Sequence, residues 1–222
     1  MPIIFKTDSP MLGVWRMTEC SDELLAMLGR REDYRPFLER VNAETRRREH
    51  LASRVLLARL LGYEAQVDYR QDGAPFLFGS SLHISISHTR GYAAVIVGER
   101  PVGVDIEYRS DRVWKIRERF LSPDELAMLD PSGEVEQLLV CWCAKEALFK
   151  LLGQQSVDFR EHLRVWPFAC RESGELLAQE SRTGRRAVFR FAYRVTPEYV
   201  LVYSLPDPVP TATRGCSHSY HL

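Results

Sequence analysis

Two stretches of this chain hold a helical period long enough to organise a core, and each is followed by short runs with the alternation of strands. The first spans residues 42–61, where Leu51, Val55, Ala58 and Leu61 recur at helical spacing, with Asn42 as candidate N-cap and Gly62 as stop. The second, 134–152, is the strongest helical pattern in the chain. Strand-like runs follow the first helix at 82–88 and 92–98, a hairpin through Thr89-Arg90-Gly91, and then at 101–108. Runs at 163–168, 187–195 and 199–205 follow the second, the last two pairing through Thr196-Pro197-Glu198. Minor signals are strand-like residues at 3–5 and 12–15, short helices at 22–29 and 113–120, and a turn at 71–75. Ser122-Pro123-Asp124-Glu125 has the chemistry of a helix start, and that helix is expected to run to Leu129. The pattern predicts an α+β fold of two comparable subdomains, 1–102 and 103–205, and a disordered proline-rich tail over 206–222.

Lysine plus arginine and aspartate plus glutamate both number 30, so the formal net charge is zero. That argues against a nucleic-acid binder working mainly through phosphate contacts. The five cysteines are an odd number with no CxxC spacing, which argues against a disulfide framework or a structural zinc site. No signal-peptide layout and no apolar run of membrane-spanning length is present, so the expected compartment is the cytoplasm, without membrane association.

Residues 103–107 read GVDIE. In a strand, Asp105 and Glu107 project from one face, and Val104 and Ile106 enter a core from the other. Adjacent carboxylates repel unless a positive charge lies between them, and a hard divalent cation such as Mg²⁺ supplies one. In WCAKEALFK, residues 142–150, Glu146 and Lys150 stand one helical turn apart on one face. Either pattern alone also describes a solvated surface. Together they give three oxygen ligands, Asp105, Glu107 and Glu146, with Lys150 for a phosphate on the same metal, an arrangement suited to a Mg²⁺-bound diphosphate.

GVDIE followed by WCAKEALFK resembles the paired motifs of the 4'-phosphopantetheinyl transferase family, G-V-D-(I/V)-E and W-x-x-K-E-(A/S)-x-x-K. The chain length and two-part organisation are similar to the pseudodimeric class that activates carrier domains of peptide and polyketide synthases. The resemblance implies two similar subdomains in pseudo-twofold arrangement, with the active site at their interface in a monomer. It implies transfer of phosphopantetheine from coenzyme A to a serine of an apo acyl or peptidyl carrier protein, releasing 3',5'-adenosine diphosphate. Asp105, Glu107 and Glu146 would bind Mg²⁺, Glu146 or a water it holds would deprotonate the serine, and Lys150 would hold the diphosphate. Lys145 matches the motif lysine as a coenzyme A contact, and Trp142 is expected to fix the helix by packing.

Two looser matches extend the resemblance. Ser85-Ile86-Ser87-His88-Thr89 is similar to a family strand that ends in a serine-histidine pair, which makes Ser87 and His88 candidate contacts to coenzyme A phosphates. The basic run ahead of Arg54-Val55-Leu56-Leu57 offers Arg48 and Arg54 for the 3'-phosphate. Ala74, in Gly73-Ala74-Pro75, departs from a family lysine near the diphosphate. The alternatives are a carrier-binding module without turnover and a Mg²⁺-dependent diphosphate hydrolase.

Overall fold

In the computed structural model, residues 2–129, 134–153 and 156–208 are described. The first half runs β1 (Ile3–Asp8), β2 (Met11–Arg16), α1 (Ser21–Ala26), α2 (Arg31–Arg40), α3 (Glu44–Leu61), β3 (Val67–Tyr69), β4 (Pro75–Leu77), β5 (His83–Thr89) and β6 (Tyr92–Gly98). The second runs β7 (Val104–Tyr108), α4 (Arg112–Phe120), α5 (Pro123–Ala127), α6 (Glu134–Leu152), α7 (Phe159–His162), β8 (Leu163–Val165), β9 (Ser173–Glu180), β10 (Val188–Val195) and β11 (Tyr199–Pro208). The fold is mixed α+β. No described helix is long and apolar enough to cross a membrane.

The described strands form a four-stranded sheet in the order β1-β2-β6-β5, a five-stranded sheet in the order β7-β11-β10-β9-β8, and the small β3-β4 pair. Helix α3 covers one face of the first sheet through Leu51, Val55 and Leu56 against Trp15, Ala93 and Val95. Helix α6 covers the second sheet through Leu138, Cys141, Ala144 and Leu148 against Phe191, Val200 and Val202. The remaining faces of the two sheets meet through Leu12, Val14, Ala94 and Ile96 on one side and Val104, Ile106, Leu201 and Tyr203 on the other. The layers are therefore helix, sheet, sheet, helix. This sandwich explains the unbroken apolar run of β6, which is buried on both faces.

Strand β7 breaks that rule in one respect. Its register places Asp105 opposite Val202 and Glu107 opposite Val200 on β11. Both valines are fully buried under α6. The acids thus occupy the helix-covered face, where the neighbouring strand carries hydrocarbon, and burying a charge there is costly unless something compensates it. Val104 and Ile106 enter the sheet-sheet core as the alternation predicts.

The long helices and both hairpins lie where the periodicity puts them, and Gly62 ends α3 at φ +79°. Helix α3 starts later than expected, capped at Ala43 and not Asn42, with no side-chain cap bond. Strand β8 stops at Val165, short of residue 168, because Pro167 cannot donate to a ladder. Strand β11 continues to Pro208, three residues into the expected tail, and residues 209–222 lie outside those described. Helices α2 and α7 and strands β3, β4 and β9 carry no strong period. α2 buries only Tyr34 and contains Pro36, and β9 is interrupted by Gly174 and Glu175.

Candidate functional site

Strand β5 of the first sheet and β7 of the second run beside each other. Among the described residues they share no backbone ladder. Side-chain hydroxyls on alternate residues of β5 join them instead. Ser85 Oγ accepts from Val104 N at 3.2 Å, Ser87 Oγ donates to Asp105 Oδ1 at 2.8 Å, and Thr89 Oγ1 accepts from Tyr108 N at 2.9 Å. Period-two spacing puts all three hydroxyls on one side of β5.

Helix α6 closes the site from the other side. The approach is close at Gly103, where an added Cβ would lie 2.8 Å from the Ala147 carbonyl carbon and 3.1 Å from Leu151 Cβ. Glycine is the residue that lets β7 meet the helix backbone there. Lys150 Nζ reaches back to donate to Asp105 Oδ1 at 2.7 Å, Ser87 Oγ at 3.1 Å and the Val104 carbonyl at 3.2 Å. Trp142 Nε1 donates to Glu107 Oε1 at 3.2 Å, and Thr89 Oγ1 donates to Glu107 Oε2 at 3.4 Å.

Asp105 is 4% exposed, and its Oδ2 is buried without a protein hydrogen-bond partner. Burial pushes the Glu146 carboxyl up to about 7, the Asp105 and Glu107 charges push the same way, and Lys150 opposes them. Glu107 is raised too, first by burial and then by Asp105, against the stabilising bonds from Trp142 and Thr89. So three mutually repelling carboxylates are gathered around a single lysine. No three acidic, histidine or cysteine side chains among the described residues are drawn together tightly enough to ligate one ion as they stand. The orphaned Asp105 oxygen and the excess of negative charge suit a hard divalent cation, and Asp105, Glu107 and Glu146 are the side chains that could move together to hold one.

A cleft of about 260 Å³ opens beside Lys150, lined by Ala74, Pro75, Ile86 and Phe149. It adjoins a second at Pro75 and Ile86, lined by Arg46, Glu49, His50 and His88. A third follows, lined by His50, Arg54 and Tyr69. Ser87 and His88 stand on adjacent residues of β5, but only Ser87 reaches the carboxylates. His88 Nδ1 lies 3.5 Å from Glu49 Oε2, which also pairs with Arg46 at 3.7 Å. Arg54 is buried and bonded to Ser53 Oγ and, at 2.7 Å, to the Tyr69 hydroxyl. Arg48 donates to the Met17 carbonyl, and its Nε is buried without a partner. Ala74 lines the same cleft as Lys150 and brings no charge to it.

Lys145 is placed elsewhere, which corrects the expected coenzyme A contact. It is fully buried, and its Nζ donates to Glu125 Oε2 at 2.8 Å, the Phe120 carbonyl at 2.6 Å and the Phe159 carbonyl at 2.9 Å. It ties α6 to the end of α4, to α5 and to the start of α7, on the side away from Asp105. Three contributors escaped the sequence reading. Glu49 carries no signal in its surroundings. Thr89 and Trp142 stand in the motifs, but a motif does not reveal them as hydrogen-bond donors; the signal that does is the alternation of hydroxyls in Ser85-Ile86-Ser87-His88-Thr89 against the alternating acids of β7.

A family model for the 4'-phosphopantetheinyl transferase superfamily matches residues 101–203, which contain β7, α6 and both motifs. A 4'-phosphopantetheinyl transferase of Aneurinibacillus migulanus is 31% identical over 85 residues, 37% of this chain and 35% of the relative. One from Bacillus subtilis is 30% identical over 76 residues, covering 33% and 34% of the two chains. One from Bacillus pumilus is 36% identical over 77 residues, 33% of each. The chain thus aligns with about a third of the length of these relatives. The acids of β7 and the Glu146–Lys150 turn of α6 lie inside the matched segment, so it is this part of the chain, 101–203, that is similar to the 4'-phosphopantetheinyl transferase superfamily.

Proposed function

We propose that this protein transfers the 4'-phosphopantetheine group of coenzyme A to a serine of an apo acyl or peptidyl carrier protein, releasing 3',5'-adenosine diphosphate. The observation that carries the reading is the gathering of buried Asp105 and half-buried Glu107 and Glu146 about the ammonium of Lys150, beside two adjoining clefts. Mg²⁺ held by these carboxylates would supply Lewis-acid charge for the diphosphate.

In this reading the carrier serine oxygen attacks the β-phosphorus of coenzyme A. The new P–O bond replaces the bond to the bridging oxygen, which leaves on adenosine diphosphate. The serine proton passes to Glu146, directly or through a water it holds. Glu146 stands on the same face of α6 as Lys150, which puts its carboxylate on the diphosphate side of the helix for that transfer. Lys150 is 2.7 Å from Asp105, and its ammonium is positioned to share its donors with the diphosphate as charge builds on the leaving group. Arg46, His88 and Arg54 line the clefts beyond and are the groups to receive the 3'-phosphate; Arg48 supports α3 through Met17.

The reading also takes residues 1–102 and 103–205 as two similar subdomains in pseudo-twofold arrangement, with the site at their seam. Each contributes a sheet covered by one long helix, and both walls of the cleft come from one chain, which supports a monomer. Its place is the cytoplasm, without nucleic acid or membrane as partner. The test is to incubate the protein with coenzyme A, Mg²⁺ and an apo carrier and to weigh the carrier by mass spectrometry. A phosphopantetheine increment that disappears in Asp105→Ala and Glu146→Ala supports transfer. Coenzyme A breakdown with an unmodified carrier points to a hydrolase, and carrier binding without chemistry to a docking module.

A further inference from the structure

The ligand assignment leaves a physical problem at Glu107. Asp105 is short, buried, and pinned by Ser87 and Lys150. Glu107 has a longer side chain, two residues along the same face of β7. Left to itself it would swing away from the other acids. A cation placed beside it would hold it but would also cancel the charge that a metal needs. Two neutral donors hold it instead, one on each oxygen and one from each half of the molecule: Trp142 Nε1 from α6 and Thr89 Oγ1 from β5.

Both donors are themselves fixed. The Trp142 ring packs edge-on to Phe120 at 5.1 Å and against Phe159 at 5.9 Å, and an indole N–H can only donate. The Thr89 oxygen accepts from Tyr108 N at 2.9 Å, which orients its own proton towards Glu107. We infer that Trp142 and Thr89 are positioning residues that restrain Glu107 on the Asp105 side of β7, from where it can join a divalent cation. The inference rests on the reading of Asp105, Glu107 and Glu146 as ligands. Removing an outer partner of a metal ligand commonly weakens metal affinity about 10–100-fold.

The test is a titration of the full-length protein with Mn²⁺, the free ion being read by electron paramagnetic resonance, with circular dichroism to confirm folding. Trp142→Phe keeps the ring and loses the donor. Thr89→Val keeps the shape and loses the hydroxyl, and Thr89→Ser keeps the hydroxyl and loses the methyl. Trp142→Phe and Thr89→Val are each expected to weaken Mn²⁺ binding by about 10–100-fold, and Thr89→Ser to retain it. Wild-type affinity in both Trp142→Phe and Thr89→Val overturns the clamp while leaving the ligand assignment standing. So does a loss in Thr89→Ser as large as that in Thr89→Val, which would make Thr89 a packing residue. A wild-type chain that binds no Mn²⁺ overturns the ligand assignment, and the clamp with it.

Discussion

Gly103→Ala tests whether the contact between β7 and α6 sets the position of Glu146. The added methyl would fall 2.8 Å from the carbonyl carbon of Ala147 and 3.1 Å from Leu151 Cβ, and closer still to the Ala147 oxygen. These obstacles are mostly main chain, so no rotamer change relieves them. Strand and helix must part by about 1 Å, and overpacking of this kind costs about 1–3 kcal/mol, with backbone collisions at the upper end. For a chain of this size each kcal/mol lowers the melting temperature by about 2–4 °C, so a fall of about 6–12 °C is expected. Glu146 precedes Ala147, and a displacement of about 1 Å at reacting groups can cost about 10²-fold in rate. Gly13→Ala is the control, since its methyl meets the flexible tip of Leu56 at 2.7 Å and should cost less. Thermal unfolding by circular dichroism gives the first number, and carrier modification in the folded fraction gives the second. If Gly103→Ala melts with the wild type and turns over normally, the helix is not held at that distance and the argument fails.

Other substitutions probe the rest of the frame. Lys145→Met removes one partner of a buried ion pair and should cost about 3–5 kcal/mol in urea unfolding, with partial recovery in Lys145→Met/Glu125→Gln; a cost under about 1 kcal/mol would show the pair to be dispensable. Glu146 holds its proton more tightly folded than unfolded, so the stability tied to that proton is intact below about pH 4.5 and is lost as pH rises through about 7. Glu146→Gln should therefore be the more stable protein at pH 8, by on the order of 2 kcal/mol after allowing for partial solvation, with the difference vanishing below pH 4.5; a gain independent of pH would refute the cause. Ser85→Ala strands the buried Val104 N–H and should cost about 1–3 kcal/mol, whereas an unchanged unfolding midpoint would show the bond to be redundant.

The sequence disclosed those parts of the fold whose signal lies in one segment. Helices α3 and α6 announce themselves by long apolar stretches of good helix formers, and β6 by its apolar run. β9 does not, because an edge-proximal strand with Gly174 and Glu175 gains its order from pairing with β10. The acids of β7 and Glu146 were legible as a constellation because each residue kept its place in a motif. Lys145 was misread because a motif lysine next to Glu146 in sequence points about 100° round the helix, into the Glu125 pocket. The hydroxyl donors escaped attention because their partners lie on another strand, and nothing in a linear pattern says which strand will be adjacent.

The seam between β5 and β7 has a mechanical meaning. Strands in one sheet are locked by rigid amides, and a shift along the ladder breaks a whole row of bonds at once. Here the join depends on three short rotors, Ser85, Ser87 and Thr89, each turning about a single torsion. The two sheets are therefore tied, under their most highly charged point, by single side-chain bonds, so losing any one hydroxyl alters the seam while leaving the backbone pairing of both sheets whole.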